Sequence, residues 1–315
     1  RDWSVTGVQT CALPISHVDA LARANRFPVP ETGKVLFGLR GCTIVSGNDG
    51  QFHASVELDE DLPDHRDSHC VLGVWDRDTG QIAVFRGSTV PNESHMQKMV
   101  SGTGRSNMLL TGFHRFYVGT HKSHYRGMLR EAEKRVILRS RNDLEYTTTD
   151  DFEIYQPGDN LHPSFRPGNN SYSSAGCLTI RGTATKDNAA SNPDRHSDPS
   201  DRTPGWATFR ERIGLTRDHA PASEDGREFT MVLLTGREAR MVSLNGTAAG
   251  LQRLRFGSQG TDVEEVQRFL TAQSLYTGSV DGQMGPNTTM AWIQYQQRRD
   301  GGAADGIVTP NDGGT

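Results

Sequence analysis

The sequence predicts a mainly β domain with short helices, followed by a small all-α domain. Three observations carry that prediction. From Val35 to Leu244 short apolar runs are interrupted by Gly, Asp, Asn and Pro, the pattern of strands joined by turns. Beyond Asn245–Gly250 the composition shifts and apolar residues recur at helical spacing. The 315 residues include 34 glycines and 14 prolines, which suits many short connections.

Taken in order, the first stretch is set aside. Val5-Thr6-Gly7-Val8-Gln9-Thr10-Cys11-Ala12-Leu13-Pro14-Ile15 resembles the in-frame translation of a short-read sequencing adapter. Residues 1–16 have neither a basic start nor an apolar run long enough for a signal peptide. The natural chain is therefore expected to begin near His17, with 17–34 a lead-in. Within 35–244, Cys70–Trp75 and Gln81–Arg86 flank Asp76–Gly80 and read as a hairpin with an Asp/Gly turn. Further strands are expected at Gly112–Gly119, Arg135–Arg139 and Glu228–Leu234. The last of these should pair back into the sheet. Ala184–Thr203, rich in Asn, Asp, Ser and Pro, reads as a surface loop, and Trp206, Phe209, Ile213 and Leu215 as a short amphipathic helix. Residues 245–253 read as a linker and 254–315 as the helical domain. There Asp262 is the expected N-cap with Glu265 three residues on, and Pro286 opens a second helix.

A formal net charge of −4 gives no electrostatic footprint for nucleic acid, and no apolar run reaches transmembrane length. Setting Cys11 aside leaves Cys42, Cys70 and Cys177. One Cys42–Cys70 disulfide with a free Cys177 fits an exported protein, and three unrelated reduced thiols fit equally well. His53, His65, His69 and Cys70 match no closed zinc spacing, so no metal is expected. His121 and His124 read as surface or groove histidines on strand and turn.

Cys177 is the candidate nucleophile. It closes Tyr172-Ser173-Ser174-Ala175-Gly176-Cys177-Leu178, downstream of a lone His162. A thiol attacks as thiolate, so it needs a neighbouring base and a depressed pKa. Gly176 permits a tight turn that aims backbone N–H groups at a developing oxyanion, and the small Ser174 and Ala175 leave room for a carbonyl. Buried cysteines are also common inert core filler, which is the competing reading.

These residues resemble the signature of L,D-transpeptidase catalytic domains, the cysteine enzymes that cross-link bacterial peptidoglycan. The likeness is concentrated in Asp159–Arg181 and departs from the family at Ala175, where His is usual, and at Thr179, where Arg is common. The resemblance implies that Cys177 attacks an amide of a stem peptide and expels D-Ala. It implies that His162 carries the proton and that the Gly176 and Cys177 N–H groups hold the oxyanion. Asp159 or Asn160 would orient the imidazole, and Arg181 or Arg166 would bind the substrate carboxylate. A neighbouring amine as acceptor gives cross-linking, and water gives trimming.

The C-terminal segment is similar to the three-helix peptidoglycan-binding domain of bacterial and phage wall enzymes. The likeness runs through Leu254–Gly260, Val266–Leu270, Val280–Thr288, Tyr295-Gln296 and Asp305–Val308. It implies a third helix after Gly306, so a chain ending at Thr315 is expected to carry a shortened domain with Trp292 poorly covered. Together the resemblances imply a cofactor-free, monomeric enzyme of the cell envelope whose partner is peptidoglycan. A carboxypeptidase or endopeptidase, or a wall-binding protein with a silent catalytic-like domain, is the alternative.

Overall fold

A computed structural model describes residues 10–140, 143–166, 171–184 and 204–312. In chain order the elements are β1 (Thr10–Pro14), α1 (Ile15–Ala24), β2 (Lys34–Arg40), β3 (Cys42–Ile44), β4 (Ser55–Glu60), β5 (Cys70–Asp76) and β6 (Gln81–Ser88). Then come α2 (Glu93–Val100), β7 (Met108–Leu109), β8 (Gly112–His121), β9 (Tyr125–Glu131), β10 (Arg135–Arg139) and β11 (Asp151–Tyr155). The chain continues through β12 (Leu161–Pro163), β13 (Leu178–Ile180), α3 (Trp206–Arg212), β14 (Glu228–Thr235), α4 (Gly236–Asn245), α5 (Thr261–Ala272) and α6 (Pro286–Arg299).

Eight strands close into a barrel in the order β12-β13-β6-β5-β2-β14-β8-β9. Closure leaves no unpaired edge in that sheet. Strand β2 shows why it forms. Val35, Phe37 and Leu39 share one apolar cluster with α1 and α4, while Leu36 belongs to another with Leu72, Phe85, Phe116 and Met231. Both faces are buried, so the strand reads as a continuous apolar run rather than an alternating one. Gly38 lies on the second face, where a Cβ would crowd the ends of the Met231 and Leu233 side chains at 2.7 and 2.9 Å. The predicted 70–86 hairpin is present as β5 and β6, and the last predicted strand, β14, lies between β2 and β8.

At the N-terminus, β1 pairs with β4 and Leu13 is fully buried. Of the two cysteine arrangements left open, the structure has free thiols, with Cys42 Sγ 3.4 Å from the Leu39 carbonyl and Cys70 Sγ 3.3 Å from Thr89 Oγ1. The helix caps depart from expectation. Helix α5 begins after Gly260, and Asp262 instead pairs with Arg26 at 2.9 Å. The capping box occurs in α4, between Thr235 and Glu238. The predicted 184–203 loop lies almost wholly outside the described residues.

The C-terminal segment repeats one device. Buried Gln267 of α5 accepts the N–H groups of Asp281 and Gly282 at 2.9 and 3.0 Å and donates to the Asp281 carboxylate at 2.7 Å. Gln296 of α6 does the same at Asp305-Gly306, accepting from Gly306 N–H at 2.9 Å and donating to Asp305 at 2.8 Å. Each Asp-Gly turn is thus pinned by a glutamine of the preceding helix. Trp292 is fully buried and its indole N–H donates to the Ile307 carbonyl at 3.0 Å, contrary to the expected loss of cover.

Nor does 245–253 behave as a free tether. Ala248 and Leu251 join the core around α1 and α4, and Arg253 bonds Glu238 at 3.2 Å. Ile293 and Ala304 pack with Leu110, Val136 and Leu138 over the β10 sheet. Ser258 Oγ donates to the Asn25 carbonyl at 2.6 Å. The helical domain is therefore seated on the barrel domain.

Candidate functional site

The parallel pairing of β12 with β13 creates the site. Leu161 lies opposite Leu178 and His162 opposite Thr179. Cys177 immediately precedes β13, and the Leu178 N–H bonds the Asn160 carbonyl at 2.9 Å. His162 and Cys177 are thus brought together from separate segments. A ring nitrogen of His162, one of His121 and the Cys177 sulfur all lie within 4.8 Å of one another, and all three residues are buried.

His121 enters at the end of β8. The β8–β9 ladder is irregular between Gly119 and His121, and the turn that follows has positive φ at Lys122 (48°) and Ser123 (64°). A bulge re-aims the side chains beyond it. His121 consequently packs against His162, with ring centroids 4.6 Å apart, so of the surface and groove positions expected for it the structure has the groove.

The backbone around Cys177 is clamped by Ser174. Its hydroxyl accepts the Gly176 N–H at 3.0 Å and donates to the Cys177 carbonyl at 2.6 Å. The expected oxyanion donor at Gly176 is therefore already engaged. Glycine is needed there for space: a Cβ would lie 2.5 Å from both Asn107 Nδ2 and Asp159 Oδ1. Asn107 donates to the Asp159 carboxylate, and the Asn107 N–H bonds the Ala175 carbonyl at 2.9 Å.

Beneath the loop, Glu131 accepts the Gly158 and Asp159 N–H groups at 2.5 and 3.2 Å. Fully buried Arg135 donates to the Asp159 carbonyl at 3.3 Å and to the Arg115 carbonyl at 2.8 Å. Burial, reinforced by the Glu131 charge, lifts the Asp159 carboxyl to about 7. Burial lowers His162 to about 4 and, with His162 beside it, His121 to about 3. Burial and the Asp159 charge push the Cys177 thiol up to about 12. The thiol is thus held protonated rather than as a preformed thiolate, because the Asn160 N–H and the Lys122 charge offset the desolvation only in part. The thiol instead approaches the Gly158 carbonyl at 3.5 Å.

A cleft of about 420 Å³ opens over these groups, lined by Asn107, His121, Asp159, Asn160, Ala175 and Cys177. Its cations are Arg105, Lys122, Arg130 and Arg139, none of them among the expected carboxylate binders. Arg181 and Arg166, the expected carboxylate binders, do not line it. Arg181 follows the far end of β13, roughly 13 Å from Cys177 at about 3.3 Å per residue. It is buried, its N–H bonding the Arg86 carbonyl at 3.0 Å. Arg166 is exposed beyond Phe165. Asp159 and Asn160 do line the cleft, but neither orients His162, whose Nδ1 bonds the Pro163 carbonyl at 2.7 Å.

Two imidazoles and a thiol form a donor set that suits zinc. One hydrogen bond opposes it. Asn160 Oδ1 accepts the Glu131 N–H at 3.2 Å, so its Nδ2 faces His121 Nδ1 at 2.7 Å and donates to it. That leaves the single proton of neutral His121 on Nε2, which then has no lone pair for a metal. His53, His65 and His69 are engaged elsewhere, with Asp49 at 2.7 Å, the Pro91 carbonyl at 2.7 Å and Asp61 at 2.9 Å.

Among the described residues no helix is long and apolar enough to cross a membrane. No curated protein and no solved structure matches the chain. Residues 259–311 match the family model described as a putative peptidoglycan binding domain, and on that match the chain carries a peptidoglycan-binding domain seated on a mainly β domain.

Proposed function

We propose that the protein is a peptidoglycan-directed cysteine acyltransferase of the L,D-transpeptidase type. The supporting observation is the juxtaposition of Cys177 with a neutral imidazole whose free lone pair is fixed by structure. A carbonyl can only accept, so His162 Nδ1 carries the proton given to Pro163, and Nε2 is left as the base.

The thiol leaves the Gly158 carbonyl and turns toward His162 Nε2. As that nitrogen takes the proton, Sγ attacks the substrate amide carbon and its π pair moves to oxygen. Collapse of the adduct expels the amine of D-Ala, protonated by His162, and leaves a thioester on Cys177. An amine or water then attacks the thioester, and the thiolate departs and regains its proton. The high thiol pKa favours transfer concerted with attack. The four cleft cations provide binding for the carboxylates of a stem peptide.

A second reading, a wall-binding protein with a silent cysteine, is favoured by the neutral, carbonyl-bonded thiol. Muropeptides incubated with the protein and with Cys177→Ala, followed by mass spectrometry, separate the two. The proposal expects released D-Ala or new cross-links with the parent alone. No difference between the proteins would overturn it and favour the silent domain.

A further inference from the structure

The unused nitrogen of His121 is the most informative polar atom outside the Cys177–His162 pair. The residue is 6 % exposed, and Nε2 finds no hydrogen-bond partner among the described residues. An unsatisfied buried donor costs about 1–3 kcal/mol. Such groups persist where another partner is present during function. The Glu131 N–H fixes the Asn160 amide, and the amide fixes the ring, so this nitrogen is a donor. His162 stands in the opposite tautomer 4.6 Å away, ring to ring. The site thus holds one imidazole set to accept a proton and one set to donate a hydrogen bond.

The backbone supplies the complementary fact. The Gly176 N–H, expected to face the oxyanion, is consumed by Ser174. Of the two backbone donors expected, that leaves the Cys177 N–H for a tetrahedral adduct, so a second donor has to come from a side chain. We propose that His121 Nε2–H is that donor, hydrogen-bonding the oxyanion formed when Cys177 attacks, with Asn160 as the positioning residue that sets its tautomer. The inference rests on Cys177 being the nucleophile. No proton leaves His121 in the step: the thiol proton passes to His162 and then to the leaving amine. His121 only accepts the oxygen's new charge into its hydrogen bond.

The test uses the full chain with a disaccharide-peptide muropeptide, following D-Ala release. Loss of one oxyanion donor costs about 10²–10³ in kcat. His121→Ala should lose that much with KM changed less than about threefold, and His121→Gln, which keeps a side-chain N–H, should recover part of it. Asn160→Asp keeps the shape but presents only acceptors, so it should move the His121 proton to Nδ1 and lower kcat as His121→Ala does. Histidine ¹⁵N–¹H correlation spectra read the tautomer directly: Nε2–H at His121 in the parent and Nδ1–H in Asn160→Asp. Full activity in His121→Ala, or an Nδ1–H His121 in the parent, would overturn the inference while leaving the nucleophile intact. A parent that releases no D-Ala would overturn the enzymatic reading itself, and the donor role with it.

Discussion

At the scale of single residues, burial sets the chemistry of the cleft. His162 has a folded pKa depressed from 6.5 to about 4, by desolvation that the Pro163 hydrogen bond only partly offsets. A base with that pKa is competent at mildly acid pH. The acid limb of kcat/KM for D-Ala release should therefore lie near pH 4, well below the ordinary histidine range. Asp159, raised to about 7, acts oppositely: its ionisation above that pH places a charge near Cys177 and opposes loss of the thiol proton. Activity should decline above about pH 7, and Asp159→Asn should flatten that decline; a rate profile with an acid limb at 6.5 would contradict the assignment. The same residues contribute to stability in opposite windows. The depressed His162 contributes above pH 6.5 and loses this as pH falls through about 4; raised Asp159 contributes below about 3.8 and loses this as pH rises through about 7. The pairing of Cys177 with His162 was legible through the resemblance of their flanking motifs, and the structure brings the two side chains together. His121 was not, because an irregular ladder and two positive-φ turn residues decide which way it faces.

At the scale of elements, the join between the two parts is built on Glu238 of α4. Its carboxylate is bound by the Thr235 N–H and hydroxyl at 3.1 and 2.9 Å and by Arg255 at 2.5 Å, with Arg253 at 3.2 Å. Burial tends to raise its pKa, yet Arg255 and the other donors hold it below the ordinary value. Glu238 is 3 % and Arg255 1 % exposed, so removing one partner strands a buried charge. Glu238→Ala should cost about 3–5 kcal/mol in chemical denaturation, and a loss under about 1 kcal/mol would show that the pair is dispensable. Long periodic elements such as β5, β6, β14 and α6 could be read directly from the sequence. Strands β12 and β13, three residues each, could not, and their parallel pairing depends on the whole barrel. The N-cap of α5 differs from expectation for a related reason: Asp262 has the right chemistry, but the helix already starts at Thr261 and Arg26 holds the Asp262 carboxylate.

At the scale of the molecule, composition separated a β part from an α part but could not reveal that they share an interface. A change from strand to helix periodicity marks a boundary in pattern, whereas packing such as Ile293 against Val136 depends on the folded surfaces. With that contact, the Arg255–Glu238 pair and the Ser258–Asn25 bond in place, the two parts should unfold together. Calorimetry should give one transition with van't Hoff and calorimetric enthalpies in agreement, whereas two resolved transitions would show independent units. The seating also changes what wall attachment means. A module on a flexible string raises local concentration over a broad volume, as the linker permits. A module bolted to the barrel acts as a gauge: once it grips the wall, the mouth above Cys177 sits at one distance and one angle from the grip. The polymer's own repeat would then decide which stems come into reach, making regular spacing, rather than mere proximity, the property that docking confers.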